Sequence, residues 1–226
     1  MTFPFLRLAA LAALLALLAP APARAQLQTK MGGQTPVESL TAQEQEMLAV
    51  ATEFAKRCGE TLEKWIASKE TTHDKLFSSL YYPVAKTDPP KFTTDWDRLA
   101  DRDIQAIEEA VLAKSPVTIY AVMVDKFGYL PTHNARYSQP LTGNLAMDLV
   151  NNRTKRIFND RTGIAAARNV APFLIQRYQR DTGEVMADLS VPVKVAGNHW
   201  GAVRLGYRAI DAASQAAVPA STASRR

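Results

Sequence analysis

Val117-Thr-Ile-Tyr-Ala-Val-Met-Val124, running into Asp125-Lys-Phe-Gly128, is where the chain changes period. The run is rich in β-branched residues and ends in a turn signal, so it reads as a strand entering a tight reversal. Alternation sets Ile119, Ala121 and Met123 on one face and Thr118, Tyr120, Val122 and Val124 on the other. The order of residues does not say which face is inward. A short return strand over 129–133 is expected to pair back, with Pro131 favouring an edge or a bulge. Three further apolar runs, 173–180, 185–195 and 200–208, are separated by hairpin-length turns at Asp181-Thr-Gly183 and Gly197-Asn198.

Upstream the period is helical. Thr41-Ala-Gln-Glu44 has the capping-box pattern, with Leu40 before it as a staple. Met47, Ala51, Phe54, Cys58, Leu62 and Trp65 then recur at helical spacing, which predicts one apolar face on a helix over 41–69. That stripe either docks on the domain's own core or pairs two chains as a homodimer. A loop holding Tyr81, Tyr82, Pro83, Asp88, Pro89 and Pro90 leads to a second helix over 95–114, which Pro116 stops. A polar stretch with a short helix around 145–158 links the first two strands to the last three. The sum is an α+β domain: a five-stranded antiparallel sheet, a long N-terminal helix and a helical crossover.

At the start, Arg7 precedes an apolar run of Leu and Ala, and Ala23-Arg24-Ala25 supplies the small residues of a cleavage site. Residues 1–25 are therefore expected to be a signal peptide cut after Ala25, which places the protein in the periplasm or outside the cell. Residues 26–36 read as a flexible leader, 37–211 as one domain and 212–226 as a disordered tail. Lys and Arg total 27 against 22 Asp and Glu, and the first 25 residues hold two of those arginines and no acid. The remainder is close to charge-balanced, so nothing calls for nucleic acid as a partner. Cys58 is the only cysteine, which excludes an intramolecular disulfide.

Several blocks in fixed order carry a resemblance. They are Val124-Asp-Lys-Phe-Gly-Tyr-Leu-Pro-Thr-His-Asn134, Tyr137-Ser-Gln-Pro140, Arg156-Ile-Phe-Asn-Asp-Arg-Thr-Gly163, Pro172-Phe-Leu-Ile-Gln-Arg-Tyr178, Asp188-Leu-Ser-Val-Pro192 and Gly197-Asn-His-Trp-Gly-Ala-Val-Arg-Leu-Gly-Tyr207. Together with the element order they resemble the periplasmic PAS-like sensor domain, of the Cache type, of bacterial methyl-accepting chemotaxis receptors, over roughly 80–208. Such receptors continue into a membrane helix and a cytoplasmic coiled coil, and the residues up to Arg226 carry neither. The resemblance thus implies a sensing module for signal transduction that acts through a separate partner, such as a membrane receptor. Its ligand is expected to be a small organic anion or an amino acid. The alternative is a structural or protein-interaction module that kept the fold without a pocket.

In PAS-like domains the ligand lies between the sheet and the crossover, so polar groups there are the candidate ligand-binding residues. Arg161 and Arg168 offer guanidinium forks suited to a carboxylate, or else pair with nearby aspartates. Asp188 sits mid-strand among apolar residues and must either be locked to an arginine or receive a ligand's ammonium group. Tyr120, Tyr129 and Tyr178 are amphipathic strand residues, and His133 is a lone imidazole in the Tyr-Leu-Pro-Thr-His-Asn block. There is no HExxH, no cysteine cluster, no Cys-x-x-Cys-His, no glycine-rich phosphate loop and no nucleophile elbow. The reading is a binding domain that is not an enzyme and that uses no metal or cofactor.

Overall fold

Thr41 opens the longest helix as its capping pattern requires. In a computed structural model, which describes residues 29–179 and 185–210, the Thr41 side chain accepts from the Glu44 backbone N–H at 3.2 Å. The Glu44 carboxylate accepts from the Thr41 backbone N–H at 2.8 Å in return. Helix α1 (Ala42–Ala67) runs from there, and every residue of its apolar stripe, Met47 to Trp65, is buried. The expected signal peptide, the Asp181-Thr-Gly183 turn and the C-terminal tail lie outside the described residues.

The remaining elements follow in order. Strand β1 (Thr29–Met31) precedes α1, and α2 (His73–Phe77) follows it. Then come the hairpin strands β2 (Tyr82–Val84) and β3 (Lys91–Thr93). The second expected helix is α3 (Asp97–Leu99) and α4 (Gln105–Leu112), joined by the π-helical turn Ala100–Ile104. Strands β4 (Thr118–Asp125) and β5 (Tyr129–Leu130) lead into the crossover. That crossover comprises α5 (Leu145–Asn151), β6 (Arg156–Ile157) and α6 (Arg161–Ala167). Strands β7 (Leu174–Gln179), β8 (Val185–Val195) and β9 (Asn198–Arg208) close the fold.

A five-stranded antiparallel sheet forms with the order β1-β7-β8-β9-β4. The meander over the last three strands agrees with the sequence reading, and the structure adds the pairing of β4 with β9. The fifth strand does not agree with that reading. Residues 129–133 do not pair back on β4; Tyr129 and Leu130 pair with Ile157 and Arg156 in a small separate sheet. Side chains occupy the edge that a return strand would need. The Ala121 N–H donates to Asn134 Oδ1 at 2.8 Å and the Met123 N–H to Glu108 Oε1 at 3.0 Å. Those two bonds satisfy donors that would otherwise be orphaned at the edge.

The fifth strand is instead β1, from the stretch expected to be a flexible leader. It pairs with β7 from Thr29↔Gln176 to Met31↔Leu174. Lys30 anchors it through the buried Glu44, at 2.7 Å. Arg177 approaches the same carboxylate at 2.9 Å. Burial pushes the Glu44 carboxyl up, but the Lys30 hydrogen bond, the Thr41 N–H and the Arg177 charge outweigh it and hold it below the usual carboxylate range.

The sheet has two buried faces. Ala187, Leu189, Val191 and Val193 of β8, with Ala121 and Met123 of β4, face α1 and form the main core. The stripe on α1 is spent within this chain. Gly59 permits the close approach, since a Cβ there would meet the Lys194 carbonyl oxygen at 2.8 Å. The opposite face carries a smaller cluster of Val122, Val124, Leu130 and Ala167, with Tyr120 and Phe158 against it. This second face meets the crossover.

Candidate functional site

Because side chains alternate along a strand, β4 and β9 present Tyr120, Val122, Val124 and Arg204 to the face away from α1. The crossover covers that face only in part. A half-open cleft of ≈ 560 Å³ remains between them, within the size range of small-molecule sites. Its floor is the sheet; His133, Tyr137, Arg153 and Phe158 line it from the crossover.

Across the floor runs a buried polar chain. Asp188 of β8 is fully buried, and its Oδ2 accepts from Arg204 Nη2 at 2.7 Å. The Arg204 Nε lies 3.3 Å and 3.2 Å from the two carboxylate oxygens. The Tyr120 hydroxyl donates to the same Asp188 Oδ2. Tyr120 on β4 reaches Asp188 two strands away because Gly206 stands between them: both residues are in register with it. A Cβ at Gly206 would lie 2.1 Å from the Tyr120 ring. Burial, with the Asp188 charge beside it, pushes the Tyr120 hydroxyl well above the usual phenol range. Burial works against the charged Arg204, but the charge of Asp188 more than offsets it and the guanidinium stays protonated.

His133 sits in the loop that leaves β5. Its carbonyl accepts from Gln105 Nε2 at 2.9 Å and from Ser138 Oγ at 3.0 Å, which fixes the loop. The residue is 4 % exposed, and its Nδ1 has no hydrogen-bond partner among the described residues. Burial first, then the positive charges of Arg153, Arg136 and Arg204, pull its pKa down to about 3. The imidazole is therefore neutral near pH 7. Arg153 lies over the Phe158 ring at 5.4 Å, and Arg156 over the same ring at 5.0 Å. Neither guanidinium has a carboxylate partner among the described residues.

The crossover is tied to the rest of the domain by Lys91. Its ammonium donates to Asn152 Oδ1 at 2.5 Å and to the Thr154 carbonyl at 2.6 Å. Burial, assisted by the Arg156 charge, lowers its pKa to about 8.

Of the residues singled out from sequence, the fold brings Tyr120, His133 and Tyr178 to the cleft and sets Asp188 beneath it. Asp188 resolves to the arginine-locked alternative, with Arg204 as the partner. Three others lie away from the cleft. Tyr129 points to the α1 side, where its hydroxyl lies within hydrogen-bond reach of Asp97, at 2.9 Å, and of the Phe92 carbonyl, at 3.0 Å. It belongs to the main core because β5 left the sheet. Arg161 and Arg168 sit at the two ends of α6, both exposed and away from the lining. Arg153, Arg204 and Tyr137 line the cleft and were missed. For Arg204 a signal existed, since it is a charged residue flanked by apolar strand residues like Asp188. Arg153 carried none.

Among the described residues no group of three or more His, Cys, Asp or Glu side chains could hold a metal ion. Cys58 is buried in the main core, where burial and then the nearby Glu108 push its thiol well up, so no thiolate forms there. No helix of the described residues is long and apolar enough to cross a membrane. Comparison with protein-family models, curated proteins and solved structures returns no match for this chain.

Proposed function

We propose that this protein is an extracytoplasmic small-molecule-binding domain of the PAS/Cache sensor type, which takes an organic anion or amino acid and passes the signal to a separate partner. The observation that carries the reading is the cleft of ≈ 560 Å³ between the sheet and the crossover, lined by Arg153 and His133, whose guanidinium and buried Nδ1 have, among the described residues, no carboxylate and no hydrogen-bond partner respectively. A buried polar atom without a partner calls for an explanation, and beside a cleft a bound group supplies one. The long helix on the opposite sheet face and a five-stranded antiparallel sheet are in keeping with this reading, although the fifth strand is β1 and not the 129–133 segment. In this reading the ligand draws the crossover onto the sheet, and a partner senses the shift through α1. That requires the open and closed arrangements to differ in ligand affinity.

A thermal-shift screen of carboxylates and amino acids on the purified protein tests it. A ligand that raises the midpoint, and does so less for Val122→Trp, which fills the cleft floor, is the expected result. A screen in which nothing moves the midpoint removes the ligand-binding reading and leaves a structural module.

A further inference from the structure

Two acidic side chains lie at the cleft, and both are spent. The Asp188 carboxylate is taken by Arg204 and the Tyr120 hydroxyl. Asp160 caps α6, with Oδ1 accepting from the Thr162 and Gly163 N–H groups, each at 3.1 Å. Among the described residues lining the cleft, no other carboxylate remains to receive an ammonium group. The positive side is in surplus. Arg153 faces the cleft with no acidic partner among the described residues, and Arg136 adds to the same field at His133, while Arg204 is matched by Asp188. An ammonium entering here would lose its water, meet guanidinium charge and find no acceptor with a negative charge.

The unspent groups define the opposite preference. A guanidinium suits a carboxylate through two parallel N–H donors. The neutral His133 in the lining can offer one ring N–H as a donor without bringing a second charge. Val122, Val124, Leu130 and Phe158 supply apolar wall on either side of these polar groups. From this arrangement we infer that the cleft selects monocarboxylates with an apolar body, anchored by Arg153 and His133, and rejects amino acids and amines of the same shape. The inference rests on the cleft being a ligand site and narrows which of the two expected classes it takes.

Isothermal titration of the purified protein with matched sets separates the possibilities. One set is 3-phenylpropanoate, phenylalanine and 2-phenylethylamine; the other is 4-methylpentanoate, leucine and 3-methylbutylamine; a series of straight-chain monocarboxylates from acetate upward covers smaller bodies. The expected result is a carboxylate bound at least tenfold more tightly than the amino acid that shares its side chain, with no amine binding. Arg153→Ala should weaken the carboxylate at least tenfold while Arg153→Lys retains part of the affinity, and both should keep the native circular dichroism spectrum. Amino acids bound as tightly as their carboxylates would overturn the selectivity while leaving the cleft a ligand site. Binding of the carboxylate unaffected by either Arg153 variant would overturn the anchor. No binding by any member of either set or of the series would overturn this inference and, with the wild-type protein also inert in the wider thermal-shift screen, the ligand-site reading beneath it.

Discussion

Replacing Asp188 by alanine should be among the most damaging single changes in this protein, and the reason can be worked through from the cleft floor. The carboxylate has no exposure, and the Arg204 side chain retains only 10 %. Removing the anion leaves a guanidinium in the sheet with no counter-charge and strips the Tyr120 hydroxyl of its acceptor. Breaking a buried pair from one side costs about 3–5 kcal/mol, because the surviving charge keeps its desolvation penalty and loses its compensation. For a chain of this size that is a fall of roughly 6–20 °C in Tm. The pair itself contributes far less than that, so removing both ends with apolar residues of similar volume, Asp188→Leu with Arg204→Met, should restore most of the loss. Urea unfolding of the wild type, the single variant and the double variant measures the three midpoints. A single variant that loses less than about 1 kcal/mol would show that water reaches Arg204. A double variant as unstable as the single would show that the cost lies in packing and not in an unpaired charge, and either outcome refutes the reasoning.

The pH profile should carry the signature of His133. Between its folded pKa of about 3 and the ordinary histidine value near ~6.5, the unfolded chain holds the extra proton, so stability rises with pH, by at most about 1.4 kcal/mol per unit. This contribution is complete above the unfolded value and is lost as pH falls. Asp125, whose carboxyl burial pushes up to about 6, works in the opposite direction, so the measurement is the difference between wild type and His133→Gln in urea midpoints from pH 4 to 7. An identical slope in both proteins would contradict a buried neutral imidazole. Gly206→Ala should cost about 1–3 kcal/mol by driving its new Cβ into the Tyr120 ring and pulling that hydroxyl off Asp188. Restoration by the added change Tyr120→Ala would support the route, and no restoration would argue against it.

The displaced strand shows how far local pattern reaches. Val117–Val124 was legible as a strand because β-branched residues and the Asp125-Lys-Phe-Gly128 turn are local features. Whether 129–133 would pair with it depended on Asn134 and Glu108, which reach the edge from a loop and from a helix 15 residues upstream of the Met123 they help to satisfy. No periodicity encodes such a contact. Similarly, Thr29-Lys-Met31 is too short to show a pattern of its own; it becomes a strand only because β7 presents an open edge beside it and Glu44 pairs with Lys30.

The sequence by itself determined the elements whose cause is local: the capped helix and its buried stripe, the strand runs from β7 to β9, and a hairpin turn at Gly197 between the last two. The turn itself falls one residue earlier than expected, at Ala196-Gly197, with Asn198 already paired to Val195 in β9. The sequence also marked Asp188 as a residue that needs a partner, since a charge among apolar neighbours is costly wherever it lies. Tertiary structure alone decided which partner that is, which face of β4 meets the crossover, and which arginine reaches the cleft. The physical reason is that ion pairing and burial depend on distance in space. Arg204 lies 16 residues from Asp188 along the chain and 2.7 Å away across the sheet, whereas Arg161 and Arg168, better placed in the sequence pattern, emerge at the exposed ends of α6.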